Sequence, residues 1–136
     1  MRRHSMASTK HTLRTPLSRV RGLGSARSGT SHFWHQRLTA VANVPLALAF
    51  IAIVVCATGS GYEEALALVR SPLVAILLLL FILSAAYHMR LGMQVIIEDY
   101  VHSGAKVAAV IANTFFAVLV AAAAVFAVLK ITFGGM

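Results

Sequence analysis

A single histidine carries the most chemistry in this sequence. His88 stands in the second half of an apolar stretch, Leu73 to Ile97, whose first fifteen residues are almost wholly hydrocarbon. An imidazole inside a membrane-spanning helix is costly to bury and points to function. Ile97 lies nine residues further on, so at about 1.5 Å per residue His88 sits roughly 13 Å below that end, close to mid-membrane. At about 100° of turn per residue, Ser84, His88, Gly92, Val95 and Asp99 share one stripe. That stripe offers one basic nitrogen with little bulk around it. A flat macrocycle could approach there and take the imidazole as an axial ligand. A histidine hydrogen-bonded between packed helices and a step in a proton relay fit the same residue, and the residues alone leave all three open.

Two further clusters have chemical potential. Asp99 and Tyr100 stand where the second hydrophobic stretch meets the membrane surface. Tyrosine is common there as an anchor. A phenol can equally donate a hydrogen bond to a lipid-soluble carbonyl compound, with the adjacent carboxylate orienting it or handling protons. Arg37 opens the first stretch behind Phe33-Trp34, with His32 and His35 beside it. It reads as a snorkelling interfacial arginine or as a contact for an anion or quinone. Arg90 falls about 200° around the helix from His88, on nearly the opposite face, and needs a partner or a route to the surface.

The elements that must position these residues follow from composition. The chain has 136 residues, 59% hydrophobic and only 12% charged, where a soluble domain would carry about a quarter charged. Three apolar stretches are each long enough to cross a hydrocarbon core of about 30 Å: about 38–57, 73–97 and 107–129. The expected fold is all-α integral membrane, three transmembrane helices forming part of a heterodimeric helix bundle. Pro45 inside the first span should kink it, and Thr58-Gly59-Ser60-Gly61 should end it. Tyr62 to Pro72 reads as a short interfacial helical turn, with Pro72 suited to the first turn of the second span. Glu98 to Lys106 reads as a polar loop. The third span is rich in alanine, which lets helices approach closely in lipid, and its polar members are Asn113 and Thr114. Residues 31–136 form the membrane domain.

Residues 1–30 carry seven Lys and Arg residues and no acid. They show no helical hydrophobic period, and read as a flexible cytoplasmic tail on an anionic bilayer surface. Met6 offers a second start site. The net charge of +8 is explained by positive-inside topology, not by nucleic acid. The same bias puts the N-terminus in the cytoplasm of a bacterium, in its inner membrane. An Arg- and Ser-rich, acid-free start also suits a mitochondrial transit peptide, and hence the mitochondrial inner membrane. Cys56, the single cysteine, cannot form an internal disulfide and reads as a small apolar residue.

The stretch HMRLGMQVIIEDYVH, His88 to His102, and the opening HFWHQRLTAVANVPL, His32 to Leu46, together resemble the small hydrophobic membrane anchor of succinate dehydrogenase, respiratory complex II. The interval of twelve residues from His88 to Tyr100 agrees with that family. The resemblance implies that the chain is not catalytic alone. With a second anchor, the cytochrome b subunit of succinate dehydrogenase, it would form the membrane domain. That domain docks the iron–sulfur and flavoprotein subunits of this tricarboxylic acid cycle enzyme. The resemblance also implies that His88 is an axial ligand to the iron of haem b, the other ligand coming from the cytochrome b subunit. Tyr100 would hydrogen-bond ubiquinone, Asp99 would support the quinone site, and Arg37 would lie near the haem propionates or the quinone. Arg90 departs from the family pattern, and His32 and His35 compete for one family histidine. The readings set against this are a small transporter or proton-relay subunit using His88, Arg90 and Asp99, and a purely structural anchor.

Overall fold

The computed structural model describes residues 15–21 and 29–134. Met6 and most of the basic tail lie outside the described residues. Five helices follow in order: α1 Pro16–Val20, α2 Gly29–Thr58, α3 Tyr62–Arg70, α4 Pro72–Tyr100 and α5 Gly104–Phe133. Three of them are long and apolar enough to span a bilayer, the helices over Thr30–Thr58, Pro72–Tyr100 and Gly104–Phe133. They are longer than the apolar stretches because an apolar run measures only the hydrocarbon layer. A helix of 29 or 30 residues is about 44 Å long and reaches through both headgroup layers. Its backbone keeps its internal hydrogen bonds there although its side chains turn polar.

The terminations have local causes. At the end of α2 the Thr58 hydroxyl donates to the Val55 carbonyl at 3.1 Å, and Ser60 donates to Cys56 at 2.8 Å. The second bond satisfies a carbonyl that the helix end leaves open, and the first adds to the bond Val55 accepts from the Gly59 N–H. α3 has Glu63 and Glu64 in its first turn and Arg70 in its last, the order the helix dipole favours. Ser71 alone separates α3 from α4, with extended-type φ −58° and ψ 127°. It precedes Pro72, whose ring disfavours helical geometry in the residue before it. α2 runs through Pro45 without a break in its helical assignment.

α4 is the central element. It packs on α2 along one side and on α5 along the other, and the backbones of α2 and α5 do not approach each other among the described residues. α3 folds across the Pro72 end and touches all three. There Val74, Ala75, Leu78 and Val128 form a buried cluster, with Leu68 and Val69 of α3 against it. Along the α4–α5 seam, Ala117 is buried. Asn113 donates from Nδ2 to the Arg90 carbonyl at 2.9 Å. Arg90 Nε in turn donates to Thr114 Oγ1 at 3.3 Å, and Thr114 donates to the Val110 carbonyl. Arg90 thus faces α5, on the opposite side of α4 from the α2 seam, as its helical angle predicts.

Within the segment read as a flexible tail lies the short helix α1, begun by a proline suited to a first helical turn. One expectation is corrected. The polar loop shrinks to Val101–Ser103, since Glu98, Asp99 and Tyr100 are the last turn of α4 and Gly104 begins α5. Polar side chains do not end this helix because they satisfy it: Gln94 donates to the Glu98 carboxylate at 2.8 Å, and Lys106 Nζ donates to the Glu98 carbonyl at 3.1 Å. The turn is made by Ser103 at φ 63° and ψ −156°, a conformation open to glycine that costs other residues about 1–3 kcal/mol. Its side chain makes no capping hydrogen bond. Ser103→Gly is therefore expected to raise the thermal midpoint of the purified complex in detergent, and Ser103→Val to lower it. A lower midpoint for the glycine variant would contradict the strain.

Candidate cofactor site

The seam between α2 and α4 opens into a cleft of about 540 Å³ lined by residues including His32, Phe33, Gln36, Arg37, His88 and Val95. Its α2 wall comes from consecutive turns, since His32, Gln36 and Ala40 recur at the four-residue spacing of one helix face. Its α4 wall carries His88 and Val95, seven residues apart and in the stripe expected from helical periodicity. Gly92 lies between them. A Cβ added there would meet Gln36 Nε2 at 3.6 Å. That is ordinary contact, so the bare backbone leaves room for the Gln36 side chain.

His88 is partly buried, and its Nδ1 lies 2.9 Å from the hydroxyl of Thr39 on α2. That hydroxyl also lies 2.8 Å from the His35 carbonyl and 3.1 Å from the Gln36 carbonyl. Nε2 is the nitrogen left for any ligand. Arg37 stands at the cleft with its guanidinium 4.6 Å from the centre of the Phe33 ring, a cation held on an aromatic face. Deeper in the membrane, Phe50 and Phe81 stack at 4.9 Å and carry the α2–α4 contact on.

The structure separates the two competing histidines. His32 lines the cleft, and its Nε2 is buried without a hydrogen-bond partner. His35 turns away and meets the Tyr87 ring edge-on, with centroids 6.0 Å apart. The fold also brings His88 and Arg37 to one cleft, and leaves Asp99 and Tyr100 out of it. Tyr100 is 80% exposed and twelve residues beyond His88, roughly 18 Å along the helix. Thr39 and Gln36 do not stand out as site residues in the sequence, and His32 is not told apart from His35 there. Nothing in the local pattern marks Thr39, whose partner is 49 positions away.

The residues present suit a haem better than a bare cation. No group of three or more potential metal-ligating side chains occurs among the described residues. One imidazole with its second nitrogen engaged is what an axial ligand requires. A nearby guanidinium matches an acidic substituent, and the orphaned His32 Nε2 is a polar atom awaiting a partner in the same space.

An integral membrane bundle with a histidine-bearing central helix is the class this arrangement defines. Comparison with known proteins then places it. The sequence pattern of the succinate dehydrogenase/fumarate reductase transmembrane subunit family matches residues 11–129. The chain is 35% identical over 122 residues to the succinate dehydrogenase hydrophobic membrane anchor subunit of Paracoccus denitrificans, covering 90% of this chain and 95% of that one. It is 32% identical over 91 residues to the protein of the same name from Rickettsia bellii (strain RML369-C), covering 67% and 73% respectively. No solved structure matches the chain significantly. The chain belongs to the succinate dehydrogenase/fumarate reductase transmembrane subunit family, as a hydrophobic membrane anchor that is not itself catalytic.

Proposed function

We propose that this chain anchors a succinate:ubiquinone oxidoreductase in the membrane, binds haem b through His88 and presents Tyr100 to ubiquinone. The observation that carries this reading is the cleft itself: a partly buried imidazole with Nδ1 engaged and Arg37 at the same opening. Family membership supports the anchor role and, with it, partners that supply what this chain lacks. These would be a cytochrome b subunit that completes the haem site, an iron–sulfur protein that delivers electrons and a flavoprotein that oxidises succinate. The exposed hydrophobic surface of all three long helices suits lipid on one side and a second anchor on another.

Each residue has a physical task. His88 would hold the haem iron through Nε2. Arg37 would pair with an acidic substituent of the haem at the cleft mouth, where a charge pair near lipid is only weakly screened. When bound, haem supplies a site that holds one electron at a time. Tyr100 donates its phenolic proton in a hydrogen bond to a quinone carbonyl, and Asp99 orients it or passes a proton. Because Tyr100 is largely exposed in this chain, the quinone pocket is completed by the partner proteins. The basic N-terminal side faces the cytoplasm in a bacterial inner membrane, on the rule that positive segments stay inside. The Tyr100 end of α4 then faces the same side, where the soluble partners dock. In a mitochondrion that side is the matrix.

A reduced-minus-oxidised visible spectrum of the purified complex is expected to show a b-type haem that His88→Ala abolishes. A colourless wild-type complex with normal quinone reduction would remove the ligand role and leave a structural anchor. Loss of proton movement without any haem signal would favour the relay reading. Tyr100→Phe removes one hydrogen bond and is expected to lower kcat/KM for ubiquinone about tenfold, equivalent to roughly 1.4 kcal/mol. Succinate oxidation with a soluble artificial acceptor should not change. Unaltered ubiquinone kinetics in that variant would contradict the role given to Tyr100.

A further inference from the structure

Thr39 stands one helical turn beyond His35 on α2, partly buried against α4. Its hydroxyl has one proton to give and lone pairs to accept with. Two carbonyl oxygens compete for that proton, His35 at 2.8 Å and Gln36 at 3.1 Å. Neither can donate in return. A threonine within a helix commonly bonds back to the carbonyl four residues earlier, and its branched side chain holds that rotamer. The His88 Nδ1, 2.9 Å away, then meets an oxygen whose proton is directed elsewhere. The ring nitrogen must therefore be the donor, as Nδ1–H to Thr39 Oγ1. A neutral imidazole carries one ring proton, so Nε2 keeps a free lone pair.

The neighbouring polar groups on the seam do not compete for this bond. One turn beyond Thr39 on α2 is Asn43, and one turn before His88 on α4 is Ser84. Their buried atoms, Asn43 Oδ1 and Ser84 Oγ, make no hydrogen bond. His35 is engaged with Tyr87, and His32 lies two turns earlier on α2.

We infer that Thr39 is a positioning residue for the haem ligand: its back-bonded hydroxyl accepts from His88 Nδ1–H and so sets the tautomer and ring plane that present Nε2 to iron. This rests on the haem reading of the cleft. The peptide carbonyls of His35 and Gln36 thereby act on the ligand through Thr39. A hydrogen bond at the far nitrogen makes the imidazole a stronger electron donor, which favours the oxidised iron and lowers the midpoint potential.

The test compares wild-type complex, Thr39→Val and Thr39→Ser, all purified intact, for haem content, haem release into apomyoglobin and midpoint potential by redox titration. Thr39→Val keeps the shape and removes the acceptor. It is expected to release haem about 10–100-fold more readily, and what it retains should have a more positive midpoint. Thr39→Ser restores the hydroxyl and should behave as wild type. If Thr39→Val does not assemble, Thr39→Ala removes the same oxygen without a branched side chain to seat. Wild-type haem affinity and midpoint in the hydroxyl-free variant would overturn the inference while leaving His88 as ligand. A serine variant as defective as valine would also overturn it, since the methyl and not the hydroxyl would then matter. A wild-type complex with no haem would overturn the underlying reading and this inference together.

Discussion

Hydrocarbon offers no water, so a polar side chain carried into it must find its partner on another helix or on its own backbone. α4 carries two such side chains near its middle, His88 and Arg90, two residues apart and therefore on opposite faces. Each is met by a threonine from a different neighbour. Thr39 of α2 meets His88, and Thr114 of α5 meets Arg90. Both threonines also bond back to a carbonyl four residues earlier on their own helices. The hydroxyl thus connects a side chain of α4 to the backbone of each flanking helix. Asn113, bonding the Arg90 carbonyl, adds a second tie on the α5 side. Apolar contact gives these helices little preference for each other over lipid, so such bonds do much to fix which face of α4 meets which neighbour.

The two seams nevertheless differ in what they can do. On the α5 side, Ala117 and Asn113 are buried and small side chains allow close approach. On the α2 side, Gly92 leaves room against Gln36 and the helices open into a cleft beside His88. On the proposed reading the α5 seam ties the helices together, and the α2 seam is the one that would hold the haem. The row of three helices, with α4 in the middle and the α2 and α5 backbones apart among the described residues, also leaves broad apolar faces uncovered. That is the shape of one member of a larger membrane assembly, in keeping with the anchor family to which the chain belongs.

Much of this was legible in the sequence because hydrophobic length and helical angle are local properties. The three spans follow from uncharged stretches, and the placement of Arg90 opposite His88 follows from two residues at about 100° each. Helix ends were harder. Glu98, Asp99 and Tyr100 look like a loop by polarity, but they form the last turn of α4, where Gln94 and Lys106 both bond to Glu98. Leu38 looks like the start of a span whose helix in fact begins at Gly29, because helical hydrogen bonding continues where the oil ends. The cleft was only half legible. His88 announces itself as an imidazole among leucines. Thr39 does not, since its meaning depends on a partner 49 positions away and a threonine in a helix is unremarkable alone. The choice between His32 and His35 likewise needed the rotation of α2 against α4.

The central claim is that the α2–α4 cleft is built to hold a porphyrin with its iron on His88. An experimental structure of the intact complex in lipid tests it most directly. The account predicts iron on His88 Nε2, Thr39 Oγ1 against Nδ1, and a propionate within reach of Arg37. A structure with Nε2 directed at acyl chains, or with lipid filling the space beside Gly92, would contradict it.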